Sequence, residues 1–283
     1  MIDELRHFLL IVERGTFTGA ARHAHLSQPA LTASIHRLEA HFGARLLSRG
    51  PGGAAPTAAG EALVPRARAV LAALADAARS VAEIEGLHAG EVRVGAGATA
   101  CTYLLPPTLA TFRAEHPGVR FLLREATTDE VLDALHAGEL DLGVVPTDEG
   151  EAWFDDELIL VAAPDLPHPE RAPFVALARG SSSRSALERH FPAADVVMEL
   201  GSIASIKGNV RAGIGLCLIS SSAVTHDLAA GRLVVVPHPA TPIPRMLRLV
   251  HRGLDRLPPA AARLRELLLA RRPRRPRPGD RVL

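Results

Sequence analysis

Two short helical segments joined by a three-residue connection are the feature that most limits the fold of the first part of this chain. A preceding helix is predicted up to Gly15, because apolar residues recur there at helical spacing. The first of the two short segments is TGAARHAH, which is rich in small residues. After the connection, residues 27–43 repeat apolar side chains at steps of four, three and four. Ser27 is a favourable N-cap, and Gly43 suits the end of the helix. This order predicts a helix-turn-helix.

The start of the second helix carries side chains that a DNA-reading helix uses. In a helix-turn-helix, the first residues of that helix meet base edges in the major groove. A glutamine pairs well with adenine, and a proline in the first turn breaks no hydrogen bond. The face opposite the apolar stripe is predicted to carry Gln28, Thr32, Ser34, His36 and Arg37. The alternative is a three-helix bundle whose polar face is only solvated.

A long ordered stretch in this region resembles a known family. GTFTGAARHAHLSQPALTASIHRLE, with PTAAGEAL further on, closely resembles the winged helix-turn-helix of LysR-type transcriptional regulators. The resemblance implies a base-reading end at Ser27, Gln28, Pro29 and Thr32. It also implies that Arg49, at the wing, contacts a phosphate.

The chain departs from that family at several DNA-facing positions. Members usually carry basic or larger polar residues where this chain has Ala33, Ser34 and His36, and the wing stretch GPGGAA lacks arginine and lysine. Neutralisation of phosphates by basic side chains supplies much of the affinity for DNA, so we expect weaker contacts with the DNA backbone here.

An alanine-rich segment from Ala58 to about Glu85 predicts one long helix, with Thr57 as its N-cap and Pro65 inside it. Its apolar residues alternate steps of three and four, as in a coiled-coil seam: Ala67, Val70, Leu74, Ala77, Val81 and Ile84. The alternative is a helix lying on its own domain. Alanine permits close pairing of two helices, so residues 61–88 are predicted to form a homodimer. The resemblance implies the same, or a homotetramer.

From Glu91 to about residue 270, short strands alternate with helices, which predicts mostly parallel sheets. The stretches 157–164 and 245–252 are predicted to cross between two lobes and to leave a ligand cleft. The predicted fold class is therefore α/β, a two-lobed domain of residues 89–270 behind an N-terminal all-α winged helix-turn-helix of residues 1–60.

Several stretches of the α/β region, such as YLLPPTLATFRAEHPGV and RAGIGLCLIS, resemble the periplasmic-binding-protein-like effector domain of the same family. The resemblance implies an effector pocket that touches Thr99, Ala100, Cys101, Thr102, Thr128, Ser181, Ser182, Ser183 and Ser202. Many of these precede helices, whose free amides favour a small anion or carboxylate. Alternatively, these hydroxyls are only N-caps.

Other chemistries are weakly supported. Gly95, Gly97 and Ala100 fit G-x-G-x-x-A after a strand, which makes a nicotinamide-dependent oxidoreductase with an accessory DNA-binding domain the alternative function. Glu125 lies too far along the chain for that motif, and Pro106 delays the helix. Cys101 before a helix is a candidate redox sensor. No catalytic set or metal site is predicted, so we expect no enzyme and no cofactor.

The composition sets the remaining expectations. Two cysteines and an acidic start, MIDELRHFLL, indicate a cytoplasmic protein without a signal peptide. No apolar run reaches the ~18 residues of a membrane span. The net charge of +1 indicates no particular class of binding partner. The tail 271–283 is rich in arginine and proline, which predicts that it is disordered and attracts DNA nonspecifically.

Together these features predict a cytoplasmic transcription regulator. Its expected partners are double-stranded operator or promoter DNA, a small and anionic effector, and further copies of itself. No membrane partner is expected.

Overall fold

A computed structural model describes residues 1–50, 53–84 and 90–273 of the chain, without the side chains of Arg49, Arg79, Ser80 and 82–84. Contacts group the chain into an N-terminal unit built on Met1–Glu85 and a C-terminal unit that takes up nearly all of the rest. The predicted tail 271–283 lies outside the described residues from position 274 onward.

The N-terminal unit contains the predicted helix-turn-helix and a two-stranded wing. Its elements are α1 (Ile2–Arg14), α2 (Phe17–His23), α3 (Gln28–Phe42), β1 (Leu47–Gly50) and β2 (Gly53–Pro56). The core joins Phe8 and Ile11 of α1 to Leu31 of α3, all fully buried. As predicted, Ser27 caps α3, because its Oγ accepts a hydrogen bond from the Ala30 amide at 3.3 Å. Gly43 ends α3 in the left-handed conformation, with φ 64°.

Two details of the predicted helix pattern are wrong. The second helix begins at Phe17 rather than Thr18, because Thr16 caps it by accepting from the Gly19 amide at 3.1 Å. The apolar stripe predicted for residues 27–43 includes Phe42 as its last member, but Phe42 is 47% exposed. It ends α3, where its ring meets that of His41 edge-on.

The long helix α4 (Ala58–Ile84) follows the wing and begins at the predicted N-cap. Thr57 Oγ1 accepts from the Gly60 amide at 3.1 Å. Val70, Leu74 and Val81 of the predicted seam are 45%, 44% and 61% exposed. Ala67 is instead buried in the N-terminal core, so its assignment to the seam is wrong. It lies one helical turn from the core-packed side chains at 63, 64 and 71 and shares their face.

The first half of the C-terminal unit has the predicted βαβαβ order. It consists of β3 (Glu91–Ala96), a π-helix (Ala100–Leu104), α5 (Pro106–Glu115), β4 (Arg120–Glu125), α6 (Thr128–His136) and β5 (Leu142–Pro146). β3 lies between β4 and β5 and pairs with both in parallel.

The second half contains the rest of the predicted elements and two unpredicted helices, α9 and α10. It consists of β6 (Glu151–Ala162), β7 (Phe174–Leu177), α7 (Ser182–His190), β8 (Val196–Leu200), α8 (Ile203–Arg211), β9 (Cys217–Ser220), α9 (Ser221–Ala229), β10 (Val234–Val235), β11 (Ile243–Val250) and α10 (Pro259–Ala270), with 3₁₀ turns at Pro169–Arg171 and Leu254–Arg256. α10 packs Ala261, Leu264 and Leu268 against the core of the first lobe.

The two predicted crossing stretches lie in β6 and β11. The two strands pair with each other in antiparallel fashion. β11 also pairs with β5 of the first lobe, whereas the far end of β6 pairs with β9 and β10 of the second lobe. The strands therefore run from one lobe into the other, as the two-lobed prediction requires.

Gly60 and Gly208 allow a matched test of the packing. Alanine is favoured over glycine inside helices by about 0.5–1 kcal/mol. A Cβ on Gly208 of α8 would meet nothing within 4 Å, whereas one on Gly60 of α4 would lie 2.1 Å from the Leu46 carbonyl oxygen. We expect Gly208→Ala to raise the free energy of unfolding of its unit by about 0.5–1 kcal/mol, and Gly60→Ala to lower that of the N-terminal unit by about 1–3 kcal/mol.

Urea denaturation of the full chain, followed by circular dichroism, measures both changes. Stabilisation of the N-terminal unit by Gly60→Ala would contradict the close packing of α4 on the end of the α3–β1 connection.

Candidate DNA-reading face and ligand cleft

The exposed face of α3 carries most of the predicted DNA-contacting residues. Gln28, Pro29, His36 and Arg37 are exposed, Thr32 is half-buried, and Ser27 is exposed at the cap. Their spacing places them on the side of the helix away from Leu31 and Leu38. The start of α3 therefore presents a glutamine amide and a rigid proline to solvent.

Arg37 is held by a carboxylate of α1. Its Nε donates to Glu4 Oε1 at 3.1 Å, although its side chain is 63% exposed. The N-terminal ammonium and backbone hydrogen bonding, together with Arg37, lower the pKa of Glu4 to about 2. Arg37 thus shares its charge with Glu4 before any phosphate approaches.

The assignment of Ser34 to the DNA-facing side is wrong. Ser34 is 1% exposed, and its Oγ lies 2.7 Å from His7 Nδ1 of α1. It follows Leu31 by three residues and precedes Leu38 by four, so helical geometry places it on the buried stripe. Arg49 pairs through its backbone with Ala54 in the wing. Its side chain, on which its predicted role depends, lies outside the described residues.

A cleft of about 200 Å³ lies in the C-terminal unit, where strand ends of both lobes face each other. The predicted residues that line it are Thr99, Ala100, Thr128, Ser181, Ser182 and Ser183. Ser181 caps α7 by accepting from the Arg184 amide at 3.2 Å. The N-terminus of α7 therefore opens on the cleft and favours negative charge there.

The structure does not bring Cys101, Thr102 and Ser202 to the cleft. Thr102 is exposed on the π-helix, and Ser202 caps α8 by accepting from the Ser205 amide at 3.2 Å. The Cys101 thiol is buried and lies 3.4 Å from the Ala96 carbonyl oxygen. Burial, and next the charge of Glu125, raise its pKa to about 12, the opposite of what a redox sensor needs.

Arg245 is the main cleft residue that the sequence analysis missed. Its Nη1 donates to Ser182 Oγ at 2.9 Å and to Ser183 Oγ at 3.3 Å. Its Nε donates to a carboxylate oxygen of Asp156 at 3.1 Å, and its Nη2 also bonds that oxygen. The available signal was an arginine at the start of a predicted crossing strand that is otherwise mostly apolar.

Acidic residues lie on the other side of the lining. Glu125 and Glu130 face the same cleft as Arg179 and Arg245. Thr127 and Glu130 form a capping box for α6: the Glu130 carboxylate accepts from the Thr127 amide at 2.8 Å and from its hydroxyl at 2.9 Å, which lowers the pKa of Glu130. The spacing T-x-x-E could have shown that Thr127 is the N-cap of this helix. Two cations and two carboxylates thus line the cleft.

The nicotinamide alternative is wrong. Gly95, the first glycine of the motif, lies inside strand β3 and pairs with Arg124 and Gly143, so it forms no phosphate-binding turn. A Cβ there would lie 2.3 Å from Leu140, which explains the glycine by packing. The relatives named below are also regulators rather than oxidoreductases.

The described residues contain neither a membrane-spanning helix nor a metal-binding cluster. No helix among them is both long and apolar enough to cross a membrane. No group of three or more histidine, cysteine, aspartate or glutamate side chains among them is placed to hold a metal ion.

Comparison with known proteins matches both units. The model "Bacterial regulatory helix-turn-helix protein, lysR family" matches residues 2–61, and "LysR substrate binding domain" matches residues 85–273. The RuBisCO operon transcriptional regulator of Allochromatium vinosum is 30% identical over 95% of each chain. The regulator CbbR of Xanthobacter flavus is 31% identical over 94% of this chain and 86% of its own. A full-length OxyR variant from Pseudomonas aeruginosa superposes with a TM-score of 0.65 at 25% identity, covering 95% of this chain and 93% of that one.

The buried thiols give a direct prediction. Burial raises the pKa of both Cys101 and Cys217 to about 12, so neither is a thiolate at about pH 8. We expect the folded protein to leave Ellman's reagent almost uncoloured, and both thiols to react once guanidinium unfolds the chain. Rapid reaction of one thiol in the folded protein, lost in Cys101→Ser, would restore Cys101 as a redox candidate.

Proposed function

The chain belongs to the LysR family of bacterial transcription regulators, and we propose that it reads operator DNA with the start of α3 and alters that reading when a small molecule fills the cleft. As a member it binds DNA and has an effector-binding domain. Because a bacterial chromosome lies in the cytoplasm, we place the protein there. Control of transcription, rather than catalysis, is its proposed role.

The observation that carries the DNA-reading proposal is the exposed, capped start of α3. Gln28 and Pro29 are exposed next to the Ser27 cap. A glutamine amide at this position can bond adenine through both its donor and its acceptor. Thr32 and His36 follow at helical spacing and would contact neighbouring bases, whereas Arg37 and Arg49 would contact phosphates.

Pairing of two chains through α4 is supported by its exposed apolar stripe. Val70, Leu74 and Val81 are each more than two-fifths exposed and lie at the spacing of a helix seam. Burying such a stripe against a second copy removes apolar surface from water. A homodimer formed in this way, or a homotetramer made of two dimers, would present pairs of recognition helices to an operator.

The proposed effector is small and carries an anionic group. The hydroxyls of Ser181–Ser183, the start of α7 and the guanidinium of Arg245 would receive that group. Glu125 and Glu130 on the opposite part of the lining favour hydrogen-bond donors at the other end of the molecule. The effector is therefore expected to be polar at both ends rather than a simple anion.

The effector would act by shifting a population. The lobes are joined by β6 and β11, and a ligand that touches both lobes favours the lobe arrangement that it fits best. It can change promoter activity only to the extent that its affinity differs between the arrangements.

A footprint on the DNA that flanks the chain's own gene tests the DNA-reading proposal. We expect protection of two or more half-sites separated by whole helical turns, roughly 34–36 Å each. Gln28→Ala should weaken operator binding by about 1–3 kcal/mol and relax the preference at one base pair. Arg263→Ala, an exposed site on α10, is the control and should bind like the wild type. Uniform protection that modest salt removes would contradict specific reading.

A second prediction tests the cleft. Ser182→Trp would place an indole in the cleft, whereas Ser185→Trp places one on the exposed side of the same helix. With a panel of short-chain hydroxy, amino and dicarboxylic acids, we expect at least one to raise the melting temperature of the wild type by about 2 °C or more. That rise should persist in Ser185→Trp and vanish in Ser182→Trp. An equal rise in both variants would show that the ligand binds elsewhere.

A further inference from the structure

A line of polar contacts joins α1 to the recognition helix α3 at the edge of the DNA-reading face. Glu4 of α1 contacts Arg37 of α3. Three residues further along α1, His7 contacts Ser34, which lies three residues earlier on α3. The His7–Ser34 contact measures 2.7 Å, and Ser34 is buried. The two contacts therefore follow one seam between the helices and fix the position of α3 relative to α1.

Arg37 lies where the DNA-facing side of α3 meets this seam. Residues three and four apart on a helix are neighbours, so Arg37 lies beside the exposed Ala33 and the buried Ser34. A side chain at the edge of a recognition helix approaches the phosphates that flank the groove rather than the base edges on its floor. The position of Arg37 thus suits the phosphate contact proposed for it above.

Only one edge of the Arg37 guanidinium is occupied. Its Nε donates to Glu4 Oε1 at 3.1 Å, and among the described residues this guanidinium has no other hydrogen-bond partner. A guanidinium carries five N–H donors in a rigid planar fork, so the two Nη groups can still hold a phosphate bidentately. The Glu4 carboxylate therefore sets the direction of the fork and leaves its phosphate-binding edge open.

The same carboxylate offsets positive charge that would attract DNA of any sequence. The Glu4 side chain is 14% exposed, whereas that of Arg37 is 63% exposed. The second oxygen of Glu4 contacts the Met1 ammonium, so two cations share one anion. Attraction between these cations and phosphates acts on every DNA sequence alike. Glu4 therefore lowers the part of the affinity that carries no sequence information.

We propose that Glu4 is a specificity-determining residue of the DNA-binding unit, and that it acts through Arg37 without touching DNA itself. It aims the guanidinium at one phosphate of the operator, which favours the correct register of α3 in the groove. It also restrains binding to other sequences, because it offsets the charge of Arg37 and of the Met1 ammonium. This inference rests on the proposed phosphate contact of Arg37.

Glu4→Gln in the full chain tests the proposal, because glutamine keeps the size of the side chain and removes its charge. Binding is measured on two duplexes of equal length and composition, one with the operator segment that the footprint defines and one with a scrambled sequence. On the scrambled duplex we expect about three- to fivefold tighter binding, and a salt dependence that is steeper by about one phosphate contact. Operator binding should change by less than about twofold, so the ratio of the two affinities falls by about threefold.

Asp3→Asn is the matched control. Asp3 precedes Glu4 on α1 and pairs with Arg6 of the same helix at 3.1 Å, and no ion pair or hydrogen bond joins it to α3 in the described part of the chain. The substitution removes the same charge and releases an arginine. The ratio of operator affinity to scrambled-duplex affinity should stay within about twofold of the wild type.

A double-mutant cycle with Arg37→Lys adds a readout that a purely structural role of Glu4 would not move. A lysine ammonium is a point charge without the planar fork, so Glu4 cannot aim it at a phosphate in the same way. Arg37→Lys should weaken operator binding about three- to fivefold in the wild type and by less than about twofold in Glu4→Gln. Additive effects of the two substitutions would overturn the proposal.

Arg37→Ala separates this inference from the contact on which it rests. If Arg37→Ala weakens operator binding but Glu4→Gln changes binding to neither duplex, only the role of Glu4 is wrong. If Arg37→Ala leaves operator binding unchanged, the phosphate contact is wrong as well. Equal effects of Glu4→Gln and Asp3→Asn would overturn the proposal, because charge alone would explain them. Weaker binding of Glu4→Gln to both duplexes, with a lower melting temperature, would show that Glu4 only supports the fold and would overturn it too.

Discussion

The buried ion pair between Arg245 and Asp156 is the interaction on which the C-terminal unit most depends. The two residues are register partners on the crossing strands β11 and β6, and Asp156 is completely buried. A buried carboxylate deprived of its partner is strongly destabilising, so the pair fixes how the two strands lie together. The Ser220 hydroxyl donates to the other oxygen of Asp156 at 2.7 Å and also caps α9. The cleft wall, the crossing strands and the start of α9 therefore meet at one carboxylate.

The N-terminal unit uses a carboxylate in a similar way. Glu39, near the end of α3, accepts hydrogen bonds from the amides of Leu46 and Leu47 at 2.8 and 3.3 Å. The amide of Ala54 in the wing donates to the Gly15 carbonyl at the end of α1, at 2.7 Å. These bonds join the recognition helix, the wing and the α1–α2 connection into one body. The start of α3 therefore keeps a fixed position relative to the wing, as sequence-specific recognition of DNA requires.

Local chemistry explains how much of this could be predicted. The caps at Ser27 and Thr57, the long helix and the βαβαβ order follow from side chains a few residues apart, and the structure has them. The Arg245–Asp156 pair joins positions 89 residues apart, so no local pattern indicates it. The predictions for Ser34 and Cys101 are wrong because they follow from the polarity and reactivity of the residue types, whereas burial decides the chemistry of both side chains.

The π-helix has an evolutionary consequence. A π-helical turn closes i→i+5 hydrogen bonds, so it behaves as an α-helix that has gained one residue. Losing that residue would rotate the side chains on one side of it by about 100° relative to the other. Residues 99 and 100 would then keep their direction only if Tyr103 and Leu104 lost theirs. The direction of the cleft-lining residues thus depends on one inserted residue, so selection on the specificity of the cleft also constrains this turn.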